Sequence, residues 1–196
     1  MIRVRLDANP VPVQIPVGRE DKFYGVIDLI TQRMLVFDED SQGYEVLDQQ
    51  IANDFIIEST AARMTLIEKL ADFDERVMEK YLEEQPVADE ELKQALRKAT
   101  LALQVVPVLC GSAFKNKGVQ PLLDAVIAYL PSPLDVPPVK GMNDKGEEEL
   151  RKTSEKEKFC ALAFKIASDP FVGNLTFVLY GFNFLPKIAA NSRAIP

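Results

Sequence analysis

Residues 105–131 read VVPVLCGSAFKNKGVQPLLDAVIAYLP, and the parsing of that stretch decides the fold. Residues 105–110 are a short apolar run rich in β-branched side chains, which predicts a strand buried on both faces, as in a parallel sheet. Gly111, Ser112 and Ala113 then turn the chain with small residues. From Gly118 onward, Val119, Leu122, Leu123, Val126, Ile127 and Leu130 fall at the spacing of one helix face. Pro131 ends that helix, because its ring clashes with the preceding turn and it has no N–H to donate. Strand, tight loop and helix make half of a βα unit. Ligands of open α/β sheets bind in the crevice outside the carboxyl ends of the strands, so residues 111–116 stand where a ligand would be. The same small residues would serve a bare turn equally well.

Of the 196 residues, 47% are hydrophobic, enough to bury a real core in one or two domains. Lysine and arginine number 23 against 30 aspartates and glutamates, a net charge of −7, so no basic excess points to a nucleic-acid site. No apolar run approaches a membrane span, and the amino terminus carries no apolar signal segment, which makes the cytoplasm the expected location. Cys110 and Cys160 sit inside apolar strand-like runs and read as buried small hydrophobes, not as a disulfide. Histidine is absent, which removes the commonest general base and metal ligand and argues against zinc or Ser-His chemistry.

Taken in order, residues 1–9 read as the end of a helix, and residues 11–17 as one strand interrupted by prolines. FYGVIDLI (23–30) and RMLVF (33–37) predict two strands, with a third at residues 44–47 after a charged turn: a small antiparallel meander. From Ile51 the period changes. Met64, Ile67 and Ala71, with Leu66, Leu70 and Phe73 in a second register, mark a long helix. Asp72 and Glu75 have capping-box spacing for a second helix, with Val77, Met78, Tyr81 and Leu82 on its apolar face and Pro86 as its stop. Residues 89–91 are acidic, as a helix amino terminus favours, and Leu92, Leu96, Ala99 and Leu103 carry a third stripe. Residues 131–158, with PSPLDVPP and KGEEELRKTSEKEK, predict an extended linker with an exposed loop. Residues 159–166 and 175–178 predict the opening hairpin of a β domain.

GSAFKNKGVQPLLDAVIAYLPSP, residues 111–133, closely resembles the fifth GTPase motif and following helix of bacterial-type translation elongation factor G. Residues 14–104 look like the subdomain inserted within that factor's GTPase domain, and FCALAFKIASDPFVGNLTFV (159–178) like the start of its second, β-barrel domain. The resemblance runs over roughly residues 1–178. It implies a tail of the GTPase domain at 1–13, an inserted α+β subdomain (antiparallel meander plus helices) at 14–104, and the last strand and helix of an α/β P-loop-type GTPase domain at 105–131. A linker at 132–158 and an incomplete β-barrel start at 159–196 complete the expected fold. In the family the Ser-Ala pair lies against guanine, and the amide at the alanine position helps read the guanine oxygen. That places Ser112 and Ala113 at the base, flanked by Phe114 and Lys115, on the guanine side of a GTP site.

The family hydrolyses GTP, with magnesium, on the ribosome to drive movement of transfer RNA and messenger. Phosphate binding needs a glycine-rich loop ending in lysine and Ser/Thr, and no G-x-x-x-x-G-K-[ST] occurs here. Asp40 to Gly43 matches D-x-x-G but lies in the meander, and Asn116-Lys117 begins like N-K-x-D but has Val119 where aspartate is required. The family's catalytic histidine is missing too. The expectation is therefore of no independent hydrolysis, no catalytic or metal-ligating residue, and no tight GTP or magnesium binding by this chain alone. Implied partners are the ribosome, its stalk protein and the remainder of the GTPase domain. The alternatives are a stand-alone acidic module that binds the stalk, with Glu83, Glu84 and Glu90 on its surface, and the inactive product of a disrupted gene. The last is suggested by the divergent tail LYGFNFLPKIAANSRAIP (179–196).

Overall fold

Val13 is where the topology divides. In the computed structural model, which describes residues 2–38, 41–142, 145–154, 156, 161–169, 171 and 173–180, a short helix α1 (Ile2–Leu6) leads to strands β1 (Pro10–Pro12) and β2 (Gln14–Val17). The one strand predicted over residues 11–17 is thus two strands in different sheets. Prolines at 10, 12 and 16 leave too few N–H groups for one continuous ladder. Val13 serves both sides, donating its amide to the Val108 carbonyl and accepting the Leu29 amide, each at 3.0 Å. Asp40, Cys160 and residues 181–196 lie outside the described residues.

The meander is present as a four-stranded antiparallel sheet in the order β2, β3 (Gly25–Asp28), β4 (Arg33–Phe37), β5 (Val46–Gln49). Gln14 stands opposite Asp28, Ile27 opposite Met34, and Met34 opposite Gln49. The third strand predicted at 44–47 is displaced to Val46–Gln49, because residues 41–44 are taken up by the turn. The β3–β4 turn closes on Asp28, whose Oδ1 accepts the amides of Ile30 (2.9 Å) and Thr31 (2.8 Å).

Three helices follow: α2 (Ile56–Ala71), α3 (Glu75–Leu82) and α4 (Asp89–Leu101). The cap of α3 is Asp74, not Asp72. Asp74 is extended (φ −142°) and its Oδ1 accepts the Arg76 amide, whereas Asp72 still has helical φ and ψ at the end of α2. At the start of α4 the Glu91 carboxylate accepts the Ala88 amide (2.9 Å) and an ammonium hydrogen bond from Lys80 (2.7 Å). Leu66, Ile67, Leu70, Ala71, Val77, Leu92, Leu96 and Ala99 pack with Val11, Val17, Ile27 and Ile30 in one core between helices and sheet. Met64, Leu82 and Leu103, predicted on buried stripes, are exposed. Leu103 lies beyond the last turn of α4 with φ 58°, so the stripe it belonged to has already ended. Arg63 ties α2 to the sheet and to the α4 entry, donating to the carbonyls of Leu29, Ile30 and Val87 and pairing with Asp89.

Strand β6 (Val106–Val108) pairs with β1 in parallel, Pro10 opposite Val106. Among the described residues this sheet has two strands only. The strand predicted to be buried on both faces therefore has an open edge, and Val106 is exposed. Helix α5 (Val119–Tyr129) starts at Gly118 and stops before Pro131, as its spacing predicts. Its orientation differs from expectation. Tyr129 and Ala125 meet the core, while Leu122, Leu123, Val126, Ile127 and Leu130 are exposed.

The chain divides into two units, Met1–Leu130 and Pro131–Pro196. Within the second, the stretch predicted as a linker contains a hairpin of β7 (Val139–Met142) and β8 (Glu148–Arg151). These strands carry no apolar–polar alternation, and β7 is exposed throughout, so no periodicity marks them in the sequence. Strands β9 (Ala161–Asp169) and β10 (Gly173–Tyr180) form a second antiparallel hairpin, with Lys165 Nζ 5.6 Å from the centre of the Phe177 ring. The hairpin expected from residues 159–166 and 175–178 is thus accompanied by a second two-stranded sheet, β7–β8, among the described residues.

Candidate functional site

The loop between β6 and α5 is closed by its own backbone. Ser112 and Lys117 exchange amide–carbonyl hydrogen bonds at 2.7 and 3.0 Å, and residues Ala113–Lys115 make a 3-10 turn inside that clasp. Lys115 donates to Ser112 (3.1 Å) and Asn116 to Ala113 (3.1 Å). Asn116 occupies the left-handed region (φ 53°), which asparagine tolerates better than most side chains. Gly118 follows at φ 84°, where an added β-carbon would stand 2.7 Å from the Cys110 carbonyl oxygen, so only glycine fits. The amides of Ser112, Lys115, Asn116 and Lys117 are thus all spent within the loop, and that of Ala113 is not among them.

The four residues singled out from the sequence lie together on this loop. Ser112 is half-buried, Ala113 and Lys115 are exposed, and the Phe114 ring is fully exposed. Lys115 Nζ has one long contact, 3.6 Å to the exposed carboxylate of Asp21. Other residues here were not foreseen. Lys117 is buried and its Nζ donates to the Phe23 carbonyl at 3.0 Å. Gln120 Nε2 donates to the carbonyls of Gly43 and Tyr44, both at 3.1 Å. These tie the loop to the four-stranded sheet from positions 94, 77 and 76 residues away, a separation at which local pattern carries no signal. Between loop and turn opens a cleft of about 640 Å3, with Tyr44, Phe114, Lys115 and Asn116 in its walls.

On one side of the loop the Cys110 thiol is half-buried, and burial pushes its pKa up, so it is a poor nucleophile at neutral pH. On the far end of α5, burial foremost, then the carboxylates of Asp28 and Glu90, push the Tyr129 phenol up to about 12. It is a neutral hydroxyl throughout the physiological range. The loop presents a serine hydroxyl, an ammonium and an aromatic ring on Ser112, Lys115 and Phe114. For phosphate it has no nest of glycine amides, and among the described residues no group of three His, Cys, Asp or Glu side chains could hold a metal ion.

No protein-family model matches the chain. Among curated proteins it is 57% identical over 178 residues to "Elongation factor G 2" of Desulfotalea psychrophila, a match that takes in 91% of this chain and 26% of that protein. A crystal structure of a Thermus thermophilus protein superposes with a TM-score of 0.66 at 24% identity, over 91% of this chain and 24% of that one, which is a likeness of fold. The chain spans about a quarter of the length of the curated relative it matches. At this level of identity across nine-tenths of its residues, the chain belongs to the elongation factor G family.

Proposed function

We propose that this chain is the base-side portion of a ribosomal translocase. Residues 111–116 supply the guanine edge of a GTP site whose phosphate and magnesium ligands come from outside it. The observation that carries this reading is the spacing of spent and unspent amides in the loop. The amides of Ser112, Lys115, Asn116 and Lys117 are used internally, while that of Ala113, the one the family resemblance assigns to the guanine oxygen, is not among them. Two further features support it. The two-stranded parallel sheet β1–β6 and the exposed apolar side of α5 both call for additional parallel strands, which is what the remainder of a GTPase domain would bring. In this reading, residues 1–13 and 105–131 belong to that domain, 14–104 are inserted in it, 132–158 link, and 159–196 open the next domain. The family reading implies a cytoplasmic location. Among the described residues no helix is long and apolar enough to cross a membrane.

A guanine contact through one backbone amide contributes only about 1 kcal/mol net, against roughly 8 kcal/mol for micromolar affinity. Titration of the chain with a fluorescent guanine nucleotide and magnesium is expected to show no micromolar binding and no hydrolysis. Micromolar binding would mean that this chain completes the phosphate site itself and would overturn the division of labour proposed.

A second reading rests on one surface. Glu83, Glu84 and Glu90 are exposed, as is Leu82, between the end of α3 and the start of α4. This surface suits a basic, amphipathic segment such as the ribosomal stalk protein would offer. Charge reversal at the three glutamates is expected to abolish stalk binding in a pull-down with purified stalk protein. Unchanged binding would remove this reading.

A further inference from the structure

The loop at residues 111–117 is braced from outside by a turn of the four-stranded sheet. Gln120, in the first turn of α5, points its amide nitrogen at two successive carbonyls of that turn, Gly43 and Tyr44. From the opposite direction Gly43, at φ 76°, comes so close that a β-carbon there would lie 2.8 Å from the Asn116 carbonyl oxygen and 2.9 Å from that of Lys115. The turn itself is stiff. Ser41 bonds Asp38 through its amide (2.8 Å) and its hydroxyl (3.1 Å), and accepts the Glu45 amide (2.9 Å).

Gln120 is a poor choice for packing. Its Oε1 is buried with no hydrogen-bond partner among the described residues, and an orphaned buried acceptor is destabilising. A methionine of similar length would fill the space without that liability. What glutamine alone supplies there is the pair of donors to the turn.

We propose that Gln120 and Gly43 are positioning residues for the base-side loop: they lock the turn at residues 41–44 against Lys115 and Asn116, so that the loop keeps the conformation in which the Ala113 amide faces outward. This rests on the base-side reading of the loop above. Because linkage is reciprocal, a partner that grips the turn and a base that occupies the loop then change each other's affinity by the same factor.

The test uses the full 196-residue chain and has two independent readouts. The first is amide hydrogen exchange without ligand. Gln120→Met is expected to melt at or above the wild-type temperature, since it removes the orphaned acceptor, yet to exchange the Lys115 and Asn116 amides about tenfold faster than wild type, with α2 and α4 unchanged. Wild-type exchange in the loop of Gln120→Met would overturn the positioning role. Gly43→Ala provides the second variant: faster exchange confined to the turn and loop supports the role, and unchanged exchange overturns it. The second readout is amide NMR during titration with GDP at millimolar concentration. Shifts at Ser112 to Lys115 accompanied by shifts at Gly43 and Tyr44, and at least threefold weaker binding to Gln120→Met, are expected. Saturating loop shifts with an unmoved turn would refute the linkage. No loop shift in the wild type would refute the base-side reading, while the exchange measurement still decides whether Gln120 positions the loop.

Discussion

Helices α4 and α5 carry apolar side chains at the same helical spacing, and they meet opposite fates. In α4 the stripe is the centre of the core, with Leu92, Leu96 and Ala99 each at 0% exposure. In α5 the stripe looks outward, and Ile127 is 80% exposed. The two helices lie side by side, with Arg97 of α4 donating to the carbonyls of Ala128 (2.7 Å) and Leu130 (3.4 Å) at the end of α5, where a cation is favoured. Their different exposure is therefore not a matter of one helix being detached. Periodicity records that a face is to be covered; it does not record by what. α4 is covered by α2 and the sheet, whereas the apolar side of α5 is left open among the described residues.

The widest separation between the two helices is expected in stability. Leu96→Ala should lower the unfolding free energy by about 2–5 kcal/mol through lost transfer energy and a cavity, whereas Ile127→Ala should change it by no more than about 0.5 kcal/mol. Urea denaturation of both variants checks this, and an equal loss would mean that the outer face of α5 is covered in solution. The cap at the start of α3 offers an intermediate effect. Asp74→Ala should cost about 1 kcal/mol, and the loss should depend on pH. Burial works to raise the Asp74 pKa, but the Lys98 ammonium at 2.9 Å and the amides of Val77 and Arg76 outweigh it and hold it below the ordinary 3.8. The carboxylate's contribution is therefore complete above that ordinary value and disappears as pH falls through the lower folded value. Wild type and variant should converge in stability in acid and differ at pH 7. The smallest thermodynamic effect is expected from Leu123→Ser with Ile127→Ser: nearly unchanged melting, but less concentration-dependent association in sedimentation, because a contiguous exposed apolar patch has been broken. If association persisted unchanged, the α5 face would not be the adhesive surface.

Much of this was legible locally. Gly118 and Pro131 bracket α5 because one supplies a positive φ and the other cannot continue a helix, both properties of single residues. The β2–β5 meander was legible from alternation and a turn at Thr31 and Gln32, which the Asp28 carboxylate closes. The resemblance carried by residues 111–133 was upheld by the 57% identity to an elongation factor G. Three things were not legible for three different reasons. The break at Val13 depends on which partner each side of a proline-rich run finds, and those partners are far off in sequence. The cap at Asp74 rather than Asp72 depends on where α2 ends, which tertiary packing sets to within a residue or two. The brace from Gln120 to Gly43 joins positions 77 apart, and no periodicity reaches across that distance.

The parallel pairing of β1 with β6 carries one more consequence. Asn9 accepts the Val106 amide at 2.8 Å and donates to the Gln104 carbonyl at 3.2 Å, so the chain departs for the meander and returns from α4 through neighbouring doors. Holding those doors together over 95 positions costs about 4 kcal/mol of closure entropy, met once by the core that the excursion builds. Evolution could lengthen, shorten or exchange everything between the doors without moving the doorposts, and an engineer could splice a cargo domain across the same threshold.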